Sequence, residues 1–389
     1  MIPDRREGRV GPCPLLWITD RYPPQRGGMA VSCGRQVEGL RSRGMAVDVL
    51  ALGAPGVTEP RVEIRDGGHA DLLIPTETEA GMEANQAWIA AQMRSRKLGG
   101  YKHLVGFGAA IGGFHAVTFG AWLGVPSTVL VRGNDLDRDW FLPHRGALVR
   151  EAFARAHSIG AVAMEKVHRL RALYPEKAAR IAWTPNSVDA ARWHLLPADR
   201  KRREEIRGLL QCGEGERVIG LFGELKAKKR IPFWLEAIRD AGLLHRIRLL
   251  IVGTLDAATS SILDDAVIAP RSVRIPFGAP EQLAGLYAAA DYVAIPSMFE
   301  GMPNVLLEAM ACGCVPIVSD AGAMGEVIQD GETGFQFAGD DRAAIGEVTA
   351  RALDASPEAL AAMSTRVTAH VSTAFTLDRE VDALLALFA

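Results

Sequence analysis

The chain has 389 residues, 48% of them hydrophobic and 23% charged, and a formal net charge of −2. That length predicts two domains at roughly 150 residues or somewhat more apiece, and the composition excludes a disordered or fibrous chain. The balance of 44 basic against 46 acidic residues lacks the basic excess of a dedicated nucleic-acid binder.

In chain order, Leu15–Thr19 is an apolar run of strand length. A loop with Pro23, Pro24, Gly27 and Gly28 follows, then a helix over 29–42 closed by Gly44, then a strand over 47–52. This is a βαβ unit with a glycine pair at its first strand-to-helix turn. A helix over 84–97, a strand over 104–107, a glycine-rich loop over 108–113 and a helix to Leu123 come next. Ser127–Val131 is a β-branched strand ending in Arg132-Gly133-Asn134-Asp135, and helices over 148–157 and 164–173 precede a strand over 181–183.

Thr184-Pro185-Asn186-Ser187-Val188-Asp189 is turn chemistry after a strand and marks the domain boundary. After a charged helix over 198–210, a second α/β series begins at Arg217. Its strands are expected at 217–222, 247–252, 273–275, 292–295 and 315–318. Its helices are expected at 232–241, 280–290, 303–311 and 341–356, with a last helix over 377–388. The alternation predicts two Rossmann-like, doubly wound parallel sheets facing across a cleft. The domains are expected at 1–186 and 187–375. Residues 376–389 form a helix crossing back to the first, because Leu377, Val381, Leu384, Leu385 and Phe388 fall at helical spacing.

No apolar run approaches the ~18 residues that span a bilayer, and the apolar stretch 15–18 is too short for a signal-peptide core. The five cysteines show no C-x-x-C spacing, and they read as packed thiols of a reduced, cytoplasmic chain. The basic run 200–203 and Arg94, Arg96 and Lys97 allow at most peripheral membrane contact.

The chemistry concentrates in Pro296-Ser297-Met298-Phe299-Glu300-Gly301-Met302-Pro303-Asn304-Val305-Leu306-Leu307-Glu308. It follows a strand, and open α/β sheets bind ligands at that end. Gly301 lets a ligand approach the backbone, and Pro303 suits a helix start. The amides of Asn304 and Val305 then offer an anion site. Glu300 and Glu308 bracket the turn, about 12 Å apart along a helix, one placed for a sugar and the other for a ribose. Lys226, Lys228, Lys229 and Arg230 lie on the loop after the first strand of the second series, where cations neutralise a leaving diphosphate.

The segment 296–310 resembles the E-x7-E signature of retaining GT-B glycosyltransferases, family 4 in particular. Pro185–Asp189 is similar to that family's interdomain P-N-G-V-D, and 315–334 to the stretch after its signature. The resemblance is continuous from about 184 to 340 and looser before it, where Pro23-Pro24 with Gly27-Gly28 carries it. One departure is Glu224, which stands where the family has arginine. Lys226, Lys228, Arg230 or Arg132 then supplies the second charge.

The resemblance implies an enzyme of the hexosyltransferase type. It moves a sugar from a nucleotide-diphosphate sugar, UDP or GDP linked, to a glycan, lipid carrier, small molecule or peptide, with retention. Glu300, Lys229 and Arg132 are the implied catalytic residues. Gly27, Gly28, Lys226, Phe277, Gly278, Gly301, Met302, Pro303, Asn304, Val305 and Glu308 are implied to hold the donor. Asn134, Asp135 and His115 are acceptor-side candidates. No cofactor and no metal is required, although Asp135, Asp137 and Asp139 form two D-x-D matches. The competing readings are a nucleotide-sugar 2-epimerase on the same fold and a non-catalytic nucleotide-sugar-binding subunit.

Overall fold

The computed structural model describes residues 15–75, 89, 100–190, 192–193, 196–276 and 282–388. The chain divides into two units. The first comprises residues through Pro185 together with those from Glu380 on, and the second is Asn186–Arg379.

In the first unit the strands are β1 (Leu15–Thr19), β2 (Val47–Ala54), β3 (Arg61–Ile64), β4 (Ala70–Pro75), β5 (His103–Phe107), β6 (Ser127–Val131), β7 (Ser158–Ala161) and β8 (Ile181–Trp183). They form one sheet in the order β3-β4-β2-β1-β5-β6-β7-β8. All pairs are parallel except β3 with β4, an antiparallel edge. β1 and β5 are buried along their whole length, as expected where helices cover both faces of a parallel sheet. One core gathers Leu16, Ile18, Leu50, Leu72, Leu104 and Phe119. Another gathers Val129, Val149, Phe153, Ile159, Val167 and Leu170.

In the second unit β9 (Arg217–Leu225), β10 (Ile247–Leu255), β11 (Ser272–Ile275), β12 (Tyr292–Ile295), β13 (Val315–Ser319) and β14 (Phe335–Phe337) are ordered β11-β10-β9-β12-β13-β14 and run parallel throughout. Two doubly wound parallel sheets are therefore present. The first carries the antiparallel edge strand β3, which alternation alone did not predict.

Among the described elements outside the sequence expectation, besides β3, are β4, β7, β14, the helix Pro357–Ala374 and the short helices Asn134–Asp137, Ala257–Leu263 and Met324–Val327. β4 lies beyond the irregular loop after β2 and was not foreseen. β7 is Ser-Ile-Gly-Ala, without a β-branched run, and is held as a strand by its register with β6, Thr128 opposite Ser158. β14 is only three residues long and forms by pairing with β13. The helix Pro357–Ala374 buries only Met363, Val367 and Val371, a thin stripe among alanines and threonines. Its start is fixed by the Ser356 hydroxyl, which accepts from the Ala359 amide at 3.2 Å, with Pro357 in the first turn.

The last helix, Leu377–Phe388, buries Val381, Leu384 and Leu387. It is tied into the first unit by polar contacts as well. Glu380, with no exposed surface, accepts from Arg35 Nε at 2.8 Å and from Gln36 Nε2 at 2.7 Å. Farther along, the Leu387 carbonyl ends a buried chain. It accepts from the Ser158 hydroxyl at 2.9 Å, Ser158 meets Thr128 Oγ1 at 2.7 Å, and Thr128 meets His103 Nε2 at 2.7 Å. The Phe388 ring lies 5.1 Å from that of His103.

Candidate functional site

The segment after β12 is a tight loop, 296–303, that leads into the helix Asn304–Ala311 with Pro303 at the cap. Two neighbouring loops brace it. The Met298 amide donates to the Lys228 carbonyl at 2.8 Å, the Ala323 amide donates to Gly301 at 2.8 Å, and the Ser319 hydroxyl donates to Ser297 at 2.7 Å. Gly322, at φ 60°, touches this loop so closely that a Cβ there would lie 2.2 Å from the Glu300 carbonyl oxygen. Any side chain at 322 therefore displaces Glu300.

Glu300 is the buried centre of this loop. Its Oε1 accepts from Lys229 Nζ at 2.6 Å and from the Ser297 hydroxyl at 3.0 Å, while Lys228 Nζ stands 3.4 Å from Oε2. Burial alone raises its pKa, but the two ammonium groups and the Ser297 hydroxyl outweigh burial and hold the carboxyl below its ordinary value. Glu300 is thus an ionised carboxylate with two partly exposed lysines on it. The Lys228 ammonium also lies 5.5 Å from the Phe299 ring centre.

At the other end of the helix, Glu308 Oε2 accepts from the Tyr287 hydroxyl at 2.9 Å. Tyr287 is itself fixed: its ring centre is 4.4 Å from that of Phe222 and 5.6 Å from that of Trp193. Burial and the adjacent Glu308 push its phenol well above the ordinary value, so it remains a donor that orients the carboxylate. Asn186 Nδ2 donates to the Met302 carbonyl at 2.6 Å. The boundary asparagine therefore supports the loop from within the second unit, and Met302 uses its carbonyl there while its side chain is buried.

The structure sorts the cations of the 226–230 loop. Lys228 joins Lys229 on Glu300. Lys226 is exposed and pairs with Glu224 at 2.5 Å, so it is not the second cation on Glu300. Arg230 donates to the Gly339 carbonyl and to Asp340 at 2.7 Å, and stacks 4.1 Å over Phe233. Phe277 and Gly278 lie outside the described residues.

In the first unit, Gly27 (φ 112°) caps the helix Gly28–Ser42, and the space where a Cβ would point is open. Arg132 is buried with its guanidinium 4.9 Å over the Phe107 ring. Burial pulls its pKa down to about 10, and the charge of Glu380 opposes that fall. Two acceptor-side candidates serve the fold. Asp135 accepts from the Ala109 amide at 2.7 Å and the Arg132 amide at 2.8 Å, so its carboxylate clamps two strand-end turns. His115 is buried, with Nδ1 on the Ile111 carbonyl at 2.8 Å and its ring against Phe114 and Phe119. Asn134 is half-buried at the start of the short helical turn Asn134–Asp137. The other D-x-D aspartates have cationic partners: Asp137 meets Lys166 at 2.6 Å and Arg169 at 2.9 Å, and Asp139 meets Arg145 at 2.9 Å.

Sequence reasoning did not single out Tyr287, Ser297 or Asn186 as parts of this arrangement. Ser297 and Asn186 stand inside the motifs quoted above without a role of their own there, and Tyr287 is a polar-tipped aromatic on the otherwise apolar helix Leu283–Ala289.

Residues 216–355, the stretch holding Lys228, Lys229, Tyr287, Glu300 and Glu308, match the family model described as Glycosyl transferases group 1. Over 248 residues the chain is 29% identical to D-inositol 3-phosphate glycosyltransferase of Rhodococcus erythropolis, covering 61% of this chain and 54% of that protein. The chain spans about half the length of the curated relatives it matches. Among solved structures, sucrose-phosphate synthase from Thermosynechococcus elongatus superposes with a TM-score of 0.78 at 17% identity, over 97% of this chain and 98% of that one. HepE from Anabaena, in complex with UDP, superposes with a TM-score of 0.72 at 15% identity, over 96% and 98%. The fold is that of the GT-B glycosyltransferases. No helix among the described residues is long and apolar enough to cross a membrane.

Proposed function

We propose that this protein is a glycosyltransferase that takes a sugar from a nucleotide-diphosphate sugar and passes it, with retention of configuration, to an acceptor hydroxyl or other nucleophile. The observation that carries the reading is the Glu300–Lys229–Lys228 cluster, joined by one helix to the Tyr287-oriented Glu308, inside the group 1 segment. Two further points support it: the chain's relatives are named glycosyltransferases, and a structural neighbour holds UDP.

In this reading the donor binds the second unit and the acceptor the first. Glu308 accepts from the ribose hydroxyls. Lys229 and Lys228, with the amides of Asn304 and Val305 at the helix start, take the diphosphate. Glu300, ionised and buried, accepts from the sugar hydroxyls, with the Gly301–Met302 backbone beside it. Charge accumulates on the diphosphate as the glycosidic bond breaks, so cations already held in place by Glu300 stabilise the transition state more than the bound donor. No metal step is needed, because the lysines and amides occupy the role of a bridging cation.

The test is a panel of nucleotide-diphosphate sugars assayed for transfer and for slow hydrolysis, with proton NMR of the released anomer. Release of nucleoside diphosphate with the donor's configuration kept supports the reading. A product that remains attached to the nucleotide as an epimer, or no turnover of any donor, counts against it.

A further inference from the structure

At the end of the first sheet remote from Gly27 and Arg132, a cavity of about 440 Å³ opens among Val117, Pro126, Arg155, His157, Lys177 and Arg180. Its size falls within the range of small-ligand pockets. Ser127 begins β6 at its rim and Arg132 follows the end of the same strand, a separation of roughly 16 Å along the strand. The cavity is therefore a separate place from the strand ends assigned to substrate.

Its charge is one-sided. Arg155, Lys177 and Arg180 contribute three cations, and no carboxylate among the described residues lines it. Two acids act on these cations: Glu151 is paired with Arg155 at 3.2 Å, and Glu176 acts electrostatically on Lys177. Lys177 is committed: its ammonium covers the carbonyls of Phe153, Ala154 and Ala156 at the end of the helix Pro143–Arg155, where a cation offsets the helix dipole. Arg180 reaches His157 Nδ1 at 3.4 Å, and Arg155 is anchored on the Val117 carbonyl at 3.4 Å. Buried Val117 and half-buried Val125 supply apolar surface beside these cations, with Ala121 and Pro126 exposed at the rim.

We propose that this cavity is a binding site for a small phosphate-bearing anion, held by Arg155 and Arg180 with His157 and Lys177 as its electrostatic rim. Two arginines with planar forks suit phosphate oxygens better than chloride or a single carboxylate. His157 is a built-in reporter. Burial first, then the Arg180 and Lys177 charges, hold its pKa below the ordinary histidine value, and a bound anion reverses the charge contribution.

The experiment is a titration of the full chain with inorganic pyrophosphate at constant ionic strength, read by histidine ring NMR with His157→Gln for assignment. The His157 pKa is expected to rise by about a unit at saturation. In Arg155→Gln/Arg180→Gln the apparent affinity at this resonance is expected to fall about ten-fold or more, with circular dichroism confirming that these surface changes leave the fold intact. Lys229→Ala weakens the proposed donor site alone, so it is expected to leave the His157 response unchanged. No shift of His157 at millimolar pyrophosphate, a response kept in the double arginine variant, or a response lost in Lys229→Ala would each overturn the proposal.

Discussion

Replacing Lys229 by methionine should raise the proton affinity of Glu300, whose carboxyl is held below its ordinary pKa in the intact site. In the intact site Lys229 makes the shortest contact to the carboxylate, 2.6 Å, against 3.4 Å for Lys228. A hydrogen bond to a charged group contributes about 1.5–3 kcal/mol, and one pKa unit is about 1.36 kcal/mol. Losing it should raise the Glu300 pKa by about one to two units. Burial, the largest influence on this group, is then opposed only by Lys228 and Ser297, and the pKa moves up toward the usual carboxylate value. The consequence for stability has a definite sign. With a depressed pKa, Glu300 stabilises the wild-type protein above the unfolded value of 4.5, and this contribution fades as pH falls through the folded pKa. In the variant the depression is smaller, so this pH-dependent contribution shrinks. The gap between the two proteins should therefore widen by at most about 1.5–3 kcal/mol from about pH 4 to pH 7. Denaturant titrations at both pH values, with carboxyl carbon NMR of Glu300 assigned by Glu300→Gln, measure both quantities. A Glu300 titration unmoved by the substitution refutes the pairing as the cause.

Three further outcomes follow from the geometry. Glu380→Ala removes the buried partner of Arg35 and Gln36, and breaking such a pair should cost about 3–5 kcal/mol in denaturant unfolding; a loss below about 1 kcal/mol would mean that water or relaxation replaces it. His103, held to about 4 chiefly by burial, is neutral in the fold while the unfolded chain protonates near 6.5. Stability should be full above about pH 6.5 and fall by up to about 3 kcal/mol toward pH 4, and His103→Gln should flatten that decline. Activity should persist in EDTA, since Asp135 clamps two amides and Asp137 and Asp139 face cationic side chains; activity lost in EDTA and restored by manganese or magnesium would move the diphosphate role to those aspartates.

The strands that carry the site were legible because their pattern is local: β9, β12 and the helix Asn304–Ala311 are apolar runs punctuated by Gly301 and Pro303. The residues bracing the site were not, because their partners are remote in sequence. Nothing near Met302 announces Asn186, and nothing near Glu300 announces Gly322; both meet the loop only when the sheet brings their own loops beside it. The same holds for the second cation. Lys226, Lys228 and Arg230 are equivalent as a string, and only the short helical turn Ala227–Lys229 decides which ammonium groups reach Glu300. His115 and Asp135 look like site residues by type, but burial among aromatic rings and two backbone amides gives them structural work.

The central claim is that the second unit holds a nucleoside diphosphate through Glu308 and the lysines. Calorimetry of a panel of nucleoside diphosphates against the wild-type protein and Glu308→Ala tests it most directly. The account predicts measurable binding of at least one of them, weakened about ten-fold or more by the substitution, as the loss of a charged hydrogen bond requires. Equal affinity in the two proteins, or no binding of any nucleoside diphosphate, would contradict it.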